Sequence, residues 1–198
     1  MTNSIQDVKH GRIVSDYVEA PFDEAKKALE SNGYKIISLE ENARLRMQEG
    51  RDSWESRYSN WTREGIVYIT DKRIFLTKNS PIIENPKEAT ECSRKRVEYY
   101  LTDKQVEQAL NDSIKLSKES IPTNRFKDNE ITAFAFGNIA EQYGLFLKGI
   151  GIKEMSVHLA NVYDKPFTRQ MLFGNIGRGS NLLCDCLMDY NWCRGIKK

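Results

Sequence analysis

The chain has 198 residues, 39% of them hydrophobic and 29% charged, a composition typical of a soluble globular protein rather than of a disordered or membrane one. Its length suits a single domain over residues 1–198 with a sizeable core. The formal charge of +2 gives no large field for nucleic acid, and no apolar run approaches the roughly 20 residues of a membrane span.

Short elements of mixed type are predicted for the first half of the chain. A helix follows Pro21 and ends at Asn32-Gly33, which is a helix stop signal. A further helix is predicted near Lys87, after two proline-containing breaks. Strands are predicted for residues 34–39, 66–70 and 73–77, the last two joined as a hairpin.

Three aromatic residues in the charged segment 40–64, Trp54, Tyr58 and Trp61, recur at helical spacing. Two interpretations are open. The rings form a stacking platform beside Arg51, Arg57 and Arg63, as in single-stranded nucleic-acid binders, or they pack the segment onto the core. The second is favoured because aromatic stripes at this spacing usually face a core.

Two helices and two strands are predicted for the second half of the chain. Thr102 and Gln105 form a capping box for a helix with an apolar face through Ile114. Asn129 is the predicted N-cap of the strongest helix, which runs to Ile150. A solvated connection is predicted over residues 115–127, and strands over 155–162 and 167–173. Mixed helices and short strands indicate an α+β fold.

The C-terminal stretch from Arg169 to Ile196 shows neither the period of two of a strand nor the period of 3.6 of a helix. The sequence therefore predicts irregular backbone here. It is held by a sparse apolar frame of Leu172, Phe173, Ile176, Leu182, Leu187 and Ile196.

This stretch contains few candidate metal ligands, phosphate-binding motifs or catalytic residues. Cys184, Cys186 and Cys193, with His158 or Cys92, permit a zinc interpretation, but structural zinc sites usually show paired Cys-x(2–4)-Cys knuckles. The glycines from Gly174 to Ser180 match neither phosphate-binding fingerprint. With histidines only at positions 10 and 158, no nucleophile–base–carboxylate set can be assembled. We therefore expect no metal, no other cofactor and no enzymatic activity.

The same stretch resembles a known family. Ser180-x-Leu182 amid small and polar residues, closed by Arg194-Gly195-Ile196, is similar to the C-terminal variable region of proteins diversified by diversity-generating retroelements, above all those of archaeal viruses and small archaea. These regions typically end in an Arg-Gly-Val-Arg-like strand, whereas this chain ends Ile196-Lys197-Lys198. The resemblance implies an α+β, C-type lectin-like fold with short strands, two main helices, one of them after Asn129, and an irregular variable region at about residues 172–193.

In that family, adenines of a template repeat are miscopied, so that an AAC asparagine codon becomes many others without creating a stop. Trp192 and Met188 cannot arise from AAC. Trp192, Tyr190 and Arg178 are nevertheless the expected hot spots, because binding surfaces favour these residue types. The resemblance implies that the ligand-binding set is Gly174, Asn175, Gly177, Arg178, Gly179, Asn181, Cys184, Asp185, Cys186, Asp189, Tyr190, Asn191, Trp192 and Cys193.

The implied function is binding of an unknown macromolecular ligand by a hypervariable surface, with receptor binding on host or neighbouring cells from a virion or a cell surface. The N-terminal MTNSIQDVKHGRIV lacks the basic-then-apolar layout of a secretory signal. Two alternatives remain open. One is a small thiol–zinc or nucleic-acid-binding module that uses Cys184, Cys186, Cys193 and the Trp54/Trp61 region; the other is an interaction subunit whose long apolar helix docks a partner.

Overall fold

Short strands and helices are interspersed along the chain in a computed structural model, which describes residues 6–10, 13–161, 164–185 and 191–197, with only the backbone of 6–10, 13, 178, 184, 185 and 191. The strands are β1 (Gln6–His10), β2 (Ile13–Ala20), β3 (Tyr34–Ile36), β4 (Asn60–Tyr68), β5 (Ile74–Thr77), β6 (Tyr99–Tyr100), β7 (Ser113–Leu116), β8 (Ser120–Pro122), β9 (Glu154–His158), β10 (Phe167–Phe173), β11 (Leu182–Asp185) and β12 (Asn191–Lys197). The helices are α1 (Phe22–Ser31), α2 (Leu39–Glu49), α3 (Trp54–Arg57), α4 (Pro81–Glu84), α5 (Pro86–Arg94), α6 (Asp103–Leu110), α7 (Glu130–Phe136) and α8 (Ala140–Gly149). Within these ranges no helix is long and apolar enough to cross a membrane.

The last strand of the chain lies inside the sheet. Neighbouring strands follow the order β1-β2-β12-β4-β10-β11-β9-β8, and β3 also pairs with β12. β12 is antiparallel to β2 and β3 and meets β4 in parallel, at the Cys193–Trp61 pair. The C-terminal segment therefore contributes to the sheet, and its predicted irregular backbone is wrong for β11 and β12.

Both faces of the central strands are buried. Along β10, Phe167, Met171 and Phe173 pack into a core with α2, α7 and α8, whereas Leu172 packs into a second core with α1 and α5. Adjacent side chains of a strand point to opposite faces, so helices cover the sheet on both sides. This explains why the sequence of these strands lacks the alternation of a half-exposed strand.

Several predictions made from local signals are confirmed. The first helix occupies Phe22–Ser31, β4 and β5 form the predicted hairpin, and Lys87 lies in the first turn of α5. The capping box of Thr102 and Gln105 is present at the start of α6. The predicted strand 34–39 is shorter, because Ser38 caps α2 with its own capping box to Glu41.

The prediction of one continuous helix from Asn129 to Ile150 is wrong. Asn129 does cap α7, through hydrogen bonds from the backbone N–H groups of Ile131 and Thr132 to its Oδ1. The helix then breaks at Gly137, whose φ of +55° lies in the region that favours glycine, and resumes as α8 after a 3₁₀ turn. A Cβ at Gly137 would lie 2.9 Å from the Glu40 carboxylate, so α2 packs closely against the break.

The predicted solvated connection at 115–127 is largely exposed, as expected, but it is not irregular: it contains the end of β7, all of β8 and a 3₁₀ turn at Thr123–Arg125. Ile114, assigned by pattern to the preceding helix, lies in β7 instead. The side chains of Ile121 and Phe126 are each 1% exposed. This segment therefore belongs to the core beneath α7 and α8.

Candidate ligand-binding site

The loop between β10 and β11, residues 174–181, is closed by hydrogen bonds between its own backbone atoms. The Gly174 N–H donates to the Asn181 carbonyl at 2.8 Å, the Ser180 N–H to the Asn175 carbonyl at 3.0 Å, and the Gly179 N–H to the Ile176 carbonyl at 3.0 Å. Gly179 and Ser180 have positive φ values of 95° and 55°. We call residues 174–181 the display loop. Its closure uses main-chain atoms, which every residue type except proline supplies.

A buried arginine of α2 fixes the display loop from below. Arg46 is fully buried and donates through Nη1 to the Gly174 carbonyl at 2.9 Å and to Ser180 Oγ at 3.0 Å. Its guanidinium lies 4.0 Å from the ring centroid of Phe173. Ser180 Oγ is also 2.5 Å from the Tyr143 hydroxyl of α8. Gly174 and Ser180, at the two ends of the loop, are therefore joined to α2 by the Arg46 guanidinium, and Ser180 is also joined to α8 by the Tyr143 hydroxyl.

A second buried arginine joins β12 to α3. Arg194 Nε pairs with Glu55 Oε2, and both side chains are fully buried. Arg194 Nη1 donates to Ser15 Oγ at 2.6 Å on the neighbouring strand β2. Burial raises the pKa of the Glu55 carboxyl, and the charge of Arg194 opposes that shift. Burial and the nearby Glu55 charge also raise the pKa of Glu49 to about 7.

Four aromatic rings cover this ion pair, and we call them the aromatic cluster: Tyr17, Trp54, Tyr58 and Trp192. Trp54 has ring centroids 4.4 Å from Tyr17, 4.7 Å from Tyr58 and 4.8 Å from Trp192. The Arg194 guanidinium lies 4.8 Å from the Trp54 centroid. Tyr58 is 42% exposed, and the other three rings are half-buried. The cluster therefore exposes aromatic surface, mainly of Tyr58, whose neighbour Ser59 contacts the display loop.

The display loop and α3 line a cleft of about 220 Å³. Its walls are Arg51, Asp52, Ser56 and Arg57 on one side and Asn175, Ile176 and Gly177 on the other. Ser59 Oγ accepts a hydrogen bond from the Asn175 N–H at 3.2 Å. Arg51, Asp52 and Arg57 are exposed. The cleft therefore joins loop positions to charged side chains from outside the predicted variable region.

The predicted site residues lie in three different environments. Asn175, Gly177, Gly179 and Asn181 are at least partly exposed in the display loop, and Trp192 is half-buried in the aromatic cluster. Gly174 is buried at the base of the loop. Backbone alone is described for Arg178, Cys184, Asp185 and Asn191, whereas Cys186, Asp189, Tyr190 and the frame residue Leu187 lie outside the described residues.

Two loop glycines and one asparagine have structural roles. A Cβ at Gly174 would lie 3.1 Å from the Asn181 carbonyl oxygen, and Gly179 has a φ that L side chains rarely adopt. The Asn181 Oδ1 accepts a hydrogen bond from the Ser156 N–H of β9 at 3.0 Å. At Gly177, by contrast, the nearest atom to an added Cβ is Asn175 Oδ1 at 3.5 Å. Gly177 is therefore open to substitution.

The structure corrects the assignment of Cys193 to the ligand-contacting set. On β12, Trp192 and Arg194 face α3, so the intervening Cys193 faces the opposite side and packs in the core with Val18 and Trp61. Its side chain is 0% exposed, and burial raises the pKa of the thiol to about 12. Cys193 cannot contact a ligand at the surface.

The same facts weigh against the zinc or nucleic-acid alternative. Trp61 is fully buried on β4, in agreement with its predicted packing onto the core. A buried ring cannot stack on a nucleic-acid base. His158, one of the proposed further ligands, is exposed on β9, and the side chains of Cys184 and Cys186 lie outside the part of the chain that the structure describes. The neutral thiol of Cys193 is a poor zinc ligand, because zinc binds the thiolate.

Sequence reasoning did not identify the two buried arginines as part of the site. Arg46 follows Leu39 and Ala43 at steps of four and three, so it lies on the buried face of α2. The position of Arg46 on an apolar face could have indicated a buried cation with specific partners, because charged residues are almost never fully buried without them. Arg194 had no such signal, because its partner Glu55 comes from a distant segment.

Comparison with known proteins identifies the fold. No family model matches the chain, and no match was found among curated proteins. A solved structure described as "Accommodation of massive sequence variation in Nanoarchaeota by the C-type lectin fold" aligns with a TM-score of 0.70 and 12% sequence identity, over 99% of this chain and 98% of that chain. The chain thus has a C-type lectin fold, and the predicted α+β, lectin-like class is confirmed.

Proposed function

We propose that the chain is a ligand-binding display protein, one C-type lectin-like domain over residues 1–198 whose region at about 172–193 is diversified by a retroelement. Its ligand is a macromolecule on a host or neighbouring cell surface, met by a virion or a surface-displayed protein. The protein acts by binding and not by catalysis. The observation that carries the proposal is the display loop, whose closure runs through main-chain atoms.

Backbone closure separates the shape of the loop from the identity of its side chains. The Arg46 guanidinium reaches a carbonyl of Gly174, and three loop N–H groups donate to loop carbonyls. Substituting an outward side chain leaves these bonds in place, and surface substitutions away from special features usually change stability by about 0.5 kcal/mol or less. A loop built in this way accepts many sequences while its backbone stays fixed.

Two further observations support diversification. Thirteen of the fourteen residues in the predicted set belong to types that an AAC codon can produce by adenine substitution, as the family resemblance implies. The structurally similar protein is described as accommodating massive sequence variation by its C-type lectin fold. After Cys193 is removed for its burial, the proposed variable contacts in the described part of the chain centre on Asn175 and Gly177, and Trp192, which AAC cannot produce, is a proposed contact beside them.

The ligand face combines variable and fixed parts. Asn175 and Gly177 line the cleft with Arg51 and Arg57, and Trp192 contacts the exposed ring of Tyr58. Rigid aromatic rings beside adaptable polar groups are the composition that paratopes use. We propose that the fixed residues contribute affinity while the variable ones select the target.

Two matched libraries test this function. The first randomises codons 175, 177 and 178 to the products of AAC mutagenesis, and the second randomises codons 180, 193 and 195 to the same set. Displayed on yeast and treated with thermolysin, most members of the first library should stay protease-resistant and most members of the second should not. Selection of the first library on immobilised streptavidin should then yield binders that the parent chain lacks. Equal protease losses in both libraries would contradict the proposal.

A genomic observation tests the retroelement separately. We expect a near-copy of the coding region for residues 174–193, rich in AAC codons, next to a reverse transcriptase gene. If the libraries behave as expected and no such copy exists, the chain is a binding scaffold without this mode of diversification.

A further inference from the structure

A second cavity, of about 300 Å³, lies between α4, α5, β6 and β10 and shares no lining residue with the ligand face. Its apolar wall consists of Ile82, Ala89 and Tyr99, which are 1%, 2% and 6% exposed. Val97, 53% exposed, also lines it. Small-molecule sites are clefts of roughly 300 Å³ or more, with mostly apolar walls and a few placed polar groups. We call this the α5 pocket.

The acidic side chain of the α5 pocket is already neutralised. Glu98 receives two hydrogen bonds from Arg169, at 2.5 Å from Nη2 and 3.2 Å from Nε. The two side chains are only 17% and 14% exposed. A carboxylate held in this bidentate way has little attraction for a cationic ligand, because its charge is matched by the planar guanidinium.

Arg96 leaves the pocket with a net positive charge. It is exposed, has a φ of +57°, and lies in the turn that ends α5. The Arg96 N–H donates to the Ser93 carbonyl and the Val97 N–H to the Cys92 carbonyl, so the last carbonyls of the helix already have donors. Among the described residues no ion pair involves Arg96, whereas Arg94, two positions earlier, pairs with Glu24 at 3.4 Å.

We propose that the α5 pocket binds a small amphipathic anion. The apolar body of the ligand, about the size of a naphthalene ring, packs on Ile82, Ala89 and Tyr99. Its carboxylate or sulfonate faces the Arg96 guanidinium. This site is independent of the display loop, and its occupancy does not require the proposed function to hold.

Anilinonaphthalene sulfonate is a suitable probe, because it combines a flat apolar body with one sulfonate. Titration of the full chain, followed by fluorescence and by calorimetry, should give saturable binding of one molecule per chain. The amide resonances of Ala89 and Thr168, which line the pocket, should shift, whereas those of Gly174 and Ser180 in the display loop should not.

Two variants with the same change in charge separate the pocket from general electrostatics. Arg96→Glu should raise the Kd for the sulfonate probe about tenfold. Arg94→Glu alters an exposed arginine that does not line the pocket. It should raise the Kd by less than about twofold, because solvent screens a charge that does not contact the ligand. Both variants should keep the urea midpoint of the parent, which excludes binding of the dye to a partly unfolded state.

Neutral phenylnaphthylamine provides the second comparison, because it should bind more weakly than the sulfonate and be insensitive to Arg96→Glu. Equal effects of Arg96→Glu and Arg94→Glu on the sulfonate would overturn the proposal, as would shifts confined to the display loop. Absence of saturable binding would also overturn it. If the parent then forms a dimer by sedimentation that Val97→Glu dissociates, the occupant of the pocket is a second copy of the chain.

Discussion

Replacing Arg46 by methionine tests whether a buried guanidinium holds the display loop. Methionine keeps the apolar stem of the side chain but removes all of its donors. Two hydrogen bonds are short, at 2.9 Å to the Gly174 carbonyl and 3.0 Å to Ser180 Oγ. At roughly 1.5–3 kcal/mol for each bond to a charged group, their loss should lower the free energy of unfolding by about 3–6 kcal/mol. The longer contacts of Arg46 add little, because hydrogen bonds beyond about 3.4 Å are weak.

Arg44→Met is the matched control, since it removes the same group from the same helix. Arg44 is 41% exposed and pairs with Glu40 one turn earlier, so its loss should cost about 0.5 kcal/mol or less. Urea denaturation followed by circular dichroism measures both variants. Hydrogen exchange at Gly174, Gly179 and Ser180 reports the loop directly, and these amides should exchange faster in Arg46→Met alone.

The two measurements together can refute the argument. If Arg46→Met and Arg44→Met differ by less than 0.5 kcal/mol and the three amides keep their protection, the loop does not depend on the buried guanidinium. If the amides lose protection while global stability is unchanged, the loop opens locally and the network fixes its shape without contributing to the global fold.

Three further predictions concern buried positions and pH. Burial raises the pKa of Glu64 from 4.5 to about 7. The folded state therefore binds this proton more tightly, and this carboxyl alone should lower the free energy of unfolding by about 3 kcal/mol as the pH rises from 4.5 to 7. In urea titrations Glu64→Gln should remove this part of the pH dependence while the part from Glu49 remains; an unchanged slope would contradict the prediction. Gly195→Ala should lower the free energy of unfolding by about 1–3 kcal/mol, since its Cβ would lie 3.0 Å from atoms of α1 and β3. The control Gly177→Ala should change it by no more than about 0.5 kcal/mol. Equal melting temperatures of the two variants would contradict this prediction. Cys193→Ser should lower the free energy of unfolding by about 1–3 kcal/mol by burying a hydroxyl, and a neutral effect would indicate that position 193 is accessible.

Local signals made much of the secondary structure predictable. The capping box at Thr102, the N-cap at Asn129 and the hairpin of β4 and β5 depend on residues close in sequence. The break at Gly137 was missed because the apolar period continues across it, and only the close approach of Glu40 from α2 and the positive φ reveal it. Contacts between distant segments leave no periodic trace.

The candidate site was predictable in its location more than in its construction. The glycine- and asparagine-rich composition indicated the display loop. Strand β12 was not predicted, because its alternation places Arg194 and Trp192 on one face and Cys193 on the other. Pattern methods assume that a buried face is apolar. Arg194 violates this assumption, because Glu55, which neutralises it, lies 139 positions earlier in the chain.

A guanidinium suits this construction for a physical reason. An apolar anchor for the display loop must be a side chain of the loop itself, as Ile176 is, and each one removes a position from the proposed variation. A planar cation with five donors instead satisfies carbonyl oxygens, and Arg46 does so at Gly174 and Phe173 from a helix outside the loop. Arg194, just beyond the proposed variable region, similarly ties β12 to Glu55 of α3. With both ends held in this way, substitutions between them leave both anchors in place, so under the proposed function binding specificity and folding stability depend on different residues.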